Sequence, residues 1–182
     1  GKEITHPDII NVSEYIHPVT IEAAVEVASN LRPDDYREVK EGHGHEPLLY
    51  IPHSAFFGES VYFTHPDGRI AGLAGVQSGG KIWMLCTPVI HDRPMLFARN
   101  AKRWIDSREE RLLWNIVDKR NTVHLKLLKF LGFKFLRELK HGPNQLTFIE
   151  FCRVRTNSDN RSHAECSGLH GRKPSSEGQE QS

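Results

Sequence analysis

Imidazole, thiol and guanidinium groups carry most of the chemistry that this sequence offers. His43-Gly44-His45, with His53 and His65, gathers side chains that bind transition metals elsewhere. The spacing matches no standard metal site, and a solvated Gly/His loop accounts for it, so no metal is expected. Cys152, His163, Cys166 and His170 form a Cys-His-Cys-His series of irregular spacing, three of them in a polar C-terminal segment. Cys86 ends an apolar run and reads as a core thiol. His124 lies inside a helical pattern, as a surface histidine or as a proton carrier. Arg32, Asp34 and Asp35 read as a helix start with acidic residues near the positive dipole end. Arg93 and Arg99 are cations on a solvated helix.

These groups must be placed by the elements around them. Ile9-Ile10-Asn11-Val12 reads as a strand. Thr20 can cap a helix whose Ile21, Ala24, Val25 and Ala28 share one face. Pro33 opens a second helix or turn, and "GHGHEP" is a loop. "SVYFTHPDGRIAGLAGV" is a hairpin around Pro66-Asp67-Gly68. "KIWMLCTPVI" is apolar for most of its length, as in a central strand. Phe97, Ala101 and Trp104 define the buried face of the next helix, and "RLLWNIVDK" is another strand. "NTVHLKLLKFLGF" is a helix that Asn121 can cap and Gly132 can end in a left-handed conformation. "FKFLREL" and "LTFIEFCRV" then pair across a turn. Trp83, Trp104 and Trp114 are expected in the core. Parallel pairing between the strands near Trp83 and Trp114, with hairpins on either side, predicts an α/β protein with a central mixed sheet flanked by helices.

The chain has 182 residues and a net charge of +1, which suits one domain and gives no field for nucleic acid or membrane. No apolar run is long enough to span a bilayer. The first residues, Gly1-Lys2-Glu3-Ile4, lack the apolar run of a signal peptide. Three cysteines make no disulfide framework and favour a reducing cytoplasm. Residues 157–182 contain one Leu and no aromatic residue, so a folded domain over 1–156 and a disordered polar tail over 157–182 are expected.

Asn121 opening a helix that closes in Leu131-Gly132-Phe133 resembles the last motif of the GNAT acyltransferase superfamily, and the element order resembles that fold. "LRPDDYREV", "LLWNIVDKRNTVHLKLLKFLGFKF" and "GPNQLTFIEF" resemble a group of short-tailed phage proteins. That group includes internal virion (core) proteins and relatives called putative acetyltransferases. The resemblance implies a phage-encoded N-acetyltransferase moving acetyl from acetyl-CoA to an amine, in the host cytoplasm or packaged in the virion. Its alternative is a non-enzymatic virion or assembly protein, partnered by phage or host proteins, that keeps the fold as a scaffold.

The resemblance further implies that strands 81–86 and 112–117 splay apart around acyl-CoA. The phosphates would sit on the turn 87–97, at a helix start that favours anions. Leu85, Thr87, Val89, Arg93, Arg99 and Asn121 are the expected cofactor contacts. That turn lacks the family's glycines, and Pro88 and Pro94 donate no N–H. The family's tyrosine acid falls at Leu128, which cannot protonate a thiolate. His124 and Cys86 are then the nearest titratable groups and the candidate catalytic residues. Arg32 and Glu38 fall in the region that shapes the acceptor pocket.

Overall fold

Seven strands form one mixed sheet in the order β1-β2-β3-β4-β5-β7-β6. They are β1 Ile16–Pro18, β2 Glu59–Thr64, β3 Ile70–Gln77, β4 Lys81–Cys86, β5 Leu112–Asp118, β6 Lys134–His141 and β7 Leu146–Val154. Every neighbouring pair is antiparallel except β4 and β5, which run parallel. The helices are α1 Ile21–Ser29, α2 Pro33–Arg37, α3 Pro47–Ser54, α4 Pro94–Asp106 and α5 Thr122–Phe130. A π-helical turn, Glu38–Gly42, continues α2, and a 3-10 turn, Pro88–His91, follows β4. The computed structural model describes residues 14–155, so the strand expected at 9–12 and the tail 157–182 lie outside the described residues. No helix among the described residues is long and apolar enough to cross a membrane.

Alternation along the strands splits the interior into two layers. On one face Phe97, Ala101, Trp104 and Ile105 of α4 pack on Phe63, Val76, Ile82 and Val117. On the other, Ala24, Val27 and Ala28 of α1 and Ile51 of α3 pack on Leu73. Each large apolar side chain buried in this way stabilises the fold by roughly 1.5–3 kcal/mol. The Thr20 hydroxyl caps α1 as expected, accepting from the Ala23 N–H at 3.1 Å. The helix is rotated from its expected face: Ile21 and Val25 are exposed while Ala23 and Val27 are buried. Small alanines let α1 approach α3 closely, and that contact sets the rotation.

The end of α5 follows the expected stop. Gly132 has φ +92°, the Phe133 N–H reaches the Leu128 carbonyl at 3.0 Å, and the Gly132 N–H reaches that of Lys129 at 3.1 Å. Those two bonds are the Schellman closure. The start of α5 differs, because the Asn121 side chain makes no capping bond. Its amide donates instead to Asp35 of α2 and Glu38 of the π-helical turn. Of the three tryptophans, Trp104 is buried, whereas Trp83 and Trp114 are partly exposed and line a cavity. Cys152 is disulfide-bonded, which corrects the expectation of unpaired thiols and leaves Cys86 as the free cysteine among the described residues.

Candidate active site

β4 and β5 meet at one register pair, Lys81 opposite Trp114, where the Trp114 N–H bonds the Gly80 carbonyl at 3.0 Å. One step further the side chain of Asn115 stands between the strands. Its Nδ2 donates to the Ile82 carbonyl at 2.7 Å, and its Oδ1 accepts from the Ile116 N–H at 2.7 Å. Those two backbone groups would otherwise form the next rung of the ladder. The amide satisfies both, so the strands can part without leaving orphaned polar groups. A cavity of about 640 Å³ opens beyond this point. The Cys86 N–H and carbonyl also face the gap, bonded to Asp35 Oδ2 at 2.7 Å and the Arg32 N–H at 2.9 Å. By the two-residue alternation, the main chain of Met84 faces the same gap, with no strand opposite it.

Asp35, at the start of α2, is 1% exposed and holds the end of β4 in place. Its Oδ1 accepts from Arg32 Nη1 and from Asn121 Nδ2, each at 2.8 Å. His124 Nε2 lies 3.4 Å from Asp35 Oδ2 without a hydrogen bond. Burial disfavours the His124 imidazolium, yet the facing carboxylate outweighs it and holds the His124 pKa well above its ordinary value. Burial likewise opposes the charge on Asp35, but His124, Arg32 and Asn121 keep its pKa below the usual value. Burial pushes the Cys86 thiol up. Asp35, Cys86 and His124 therefore form one buried cluster that combines a carboxylate, a thiol and a charged imidazole.

Glu38 also lines the cavity. Its Oε1 accepts from the Asp118 N–H and from Asn121 Nδ2, each at 3.2 Å. Its Oε2 stands 3.9 Å from His43 Nε2. His43 Nδ1 and His141 Nε2 are 2.9 Å apart, so one ring donates to the other. Burial, then His43, Lys81 and His45, push His141 down to about 4. Burial and the same kind of neighbours lower His45, whose ring stacks on Tyr50 at 4.1 Å.

The structure brings the two catalytic candidates together: Cys86 is fully buried, and His124 is buried in the cavity wall, not a surface histidine. Leu85 also lines the cavity, as does Leu128, where the resemblance implies a tyrosine acid in other proteins. Thr87 is buried and committed to the protein, its hydroxyl donating to the Ile70 carbonyl at 2.9 Å and capping the 3-10 turn. Val89 is half-buried, whereas Arg93 and Arg99 are exposed at and beyond the start of α4. Asn121, 1% exposed, ties Asp35 to Glu38 and so belongs to the buried network. Asn115 and Tyr50 are residues that the sequence did not single out, and Asp35 was read there only as an acid at a helix start. Asp35 had a sufficient explanation in the helix dipole, and nothing in a strand pattern marks Asn115.

Several solved acetyltransferases share this architecture. A GNAT-family acetyltransferase from Bacillus anthracis superposes with a TM-score of 0.58 at 12% identity, covering 76% of this chain and 93% of that one. A mutant of the spermidine N-acetyltransferase SpeG from Vibrio cholerae gives 0.54 at 11% identity, covering 81% and 98%. A ribosomal-protein-S5-alanine acetyltransferase from Vibrio fischeri gives 0.52 at 12% identity, covering 78% and 93%. The chain thus has the fold of GNAT acetyltransferases. No protein-family model and no curated protein matches the sequence.

Proposed function

We propose that this chain transfers an acyl group from an acyl-CoA, acetyl-CoA in the first instance, to an amine. The supporting observation is the parted pair β4 and β5, with an open main-chain edge at Met84 and a charged His124 in the wall of the same cavity. An extended amide-bearing arm suits that edge, because Met84 offers it one donor and one acceptor, as an added strand would. Acyl-CoA supplies the thioester carbonyl. The acceptor first releases a proton from its ammonium to solvent, which frees the lone pair, and Glu38 Oε2 takes the second proton as the C–N bond forms. With His124 Nε2 turned toward Asp35, its Nδ1–H is the donor left for the sulfur as the C–S bond breaks. Asp35 keeps that imidazole charged, and Asn121 and Arg32 hold Asp35. Leu85 lines the same cavity, whereas Thr87 and Val89 line a separate hollow beside the 3-10 turn, and Arg93 and Arg99 provide cations for the phosphates.

Calorimetry with acetyl-CoA and the full chain tests this reading, with micromolar binding expected. His124→Gln should lower turnover by roughly 10²–10⁴-fold, the usual contribution of a general acid, while leaving affinity for acetyl-CoA unchanged. Leu128→Tyr in that variant should restore part of the rate, because the phenol stands one turn further along the same helix. A second reading, a phage virion or assembly protein that keeps the fold as a scaffold, draws on the phosphate turn: Thr87 is already committed, and two prolines replace donors. No heat with millimolar acetyl-CoA would leave that reading in place.

A further inference from the structure

The acceptor wall of the cavity presents one carboxylate. Among the described residues that line it, Glu38 is the single anionic group and Lys81 the single permanent cation. The rest of the lining combines apolar and aromatic groups, Tyr50 and Trp83 among them, with neutral polar ones such as Ser54 and Gln77 and with the imidazoles of His43, His45 and His141. An ammonium entering such a space needs a carboxylate, since an unpaired charge in an apolar site is costly. Glu38 meets one ammonium through Oε2, because its Oε1 is already bonded to Asp118 and Asn121. A second ammonium on the same molecule would find no carboxylate and would meet Lys81. Burial lowers the pKa of both His45 and His141, and an imidazole supplies no anion in either of its forms. The aromatic groups favour a flat apolar body of matching size.

Resting on the acyl-transfer reading, we propose that the acceptor is a monoamine carried on an apolar, aromatic-sized body, with its nitrogen on Glu38, and not a polyamine. The same cavity, with one carboxylate added, should change its preference.

The test uses the full chain saturated with CoA, which carries no acyl group and so permits no turnover. Phenethylamine and spermidine are titrated separately by calorimetry at 0.1 M salt. Phenethylamine should bind at least tenfold tighter than spermidine. Glu38→Gln, which keeps an acceptor for the Asp118 N–H, should weaken phenethylamine at least tenfold. Ser54→Asp adds a second anion to the lining and should tighten spermidine while weakening or sparing phenethylamine. Equal or tighter binding of spermidine by the wild-type chain overturns the proposal, as does a Glu38→Gln variant that is folded but binds phenethylamine normally. If CoA itself gives no heat, the acyl-transfer reading fails separately, and the same amine titrations without CoA still decide the character of the cavity.

Discussion

His124 and Asp35 show how far single residues could be read from the sequence. The helix motif placed His124 near the chemistry, but not its burial or its charge. The charge comes from Asp35, which reaches Cys86 across 51 positions of sequence. No local pattern encodes such a partner. The pair makes stability depend on pH at both ends. Asp35 has a lowered folded pKa, so its contribution is complete above its unfolded value of about 3.9 and is lost as pH falls through the folded value. His124 has a raised folded pKa, so its contribution is complete below about 6.5 and is lost as pH rises through the folded value. Melting curves from pH 3 to pH 10 should therefore show an alkaline decline that His124→Gln removes. Asp35→Asn leaves His124 buried without a carboxylate and Arg32 with only Asp34, at 3.5 Å, a loss of about 3–5 kcal/mol. At roughly 2–4 °C per kcal/mol for a chain of this size, its Tm should fall by at least 6 °C. A drop within 2 °C would mean that the cluster carries no net charge interaction.

At the level of elements, the β2–β3 hairpin, β4, α4, β5, α5 and the β6–β7 pair were legible, because each has clear periodicity or a turn signal. α3 was not. Only Pro47 and Ile51 of that helix are buried, Leu48 and Leu49 are exposed, and Pro52 lies inside it. The apolar pattern therefore followed no face. The parting of β4 and β5 was expected from resemblance, while its local cause, the Asn115 amide, was invisible in an otherwise ordinary strand. Asn115→Val removes that amide and leaves the Ile82 carbonyl and Ile116 N–H two options. Left unpaired in the protein, each costs about 1–3 kcal/mol; paired with each other, they cost little and draw the strands together by one rung. The second option should prevail. Thermal melting should then change by no more than a few degrees, while acetyl-CoA affinity measured by calorimetry falls at least tenfold. Unchanged affinity in a folded variant would show that the amide does not keep the gap open.

Over the whole molecule, charge is nearly balanced, at +1 over 182 residues. No long-range field gathers a polyanion toward the gap, so the proposed binding of acyl-CoA phosphates would have to rest on local groups. β4 is followed by the 3-10 turn and then α4, and Pro88 and Pro94 occupy the first positions of those two helical segments. Prolines suit helix starts but donate no N–H, and the Thr87 hydroxyl is occupied. The helix dipole remains, worth about 0.3–1 kcal/mol for a nearby anion. Side-chain charge must therefore carry more of the binding than a glycine-rich turn would require, and Arg93 and Arg99 are the exposed cations there. At about 1–2 kcal/mol for each charge-assisted bond, replacing both with Ala should weaken acetyl-CoA binding by roughly 2–4 kcal/mol, or about 30- to 1,000-fold. Raising the salt concentration should reproduce part of that loss in the wild-type chain and much less in the double variant, because exposed charges are screened. Lys102 provides the control, since it lies on the same helix but is paired with Asp106 at 3.2 Å. Lys102→Ala should change affinity less than twofold. If it weakens binding as much as the double variant does, the phosphates are held by diffuse charge along α4 and not by its first turns.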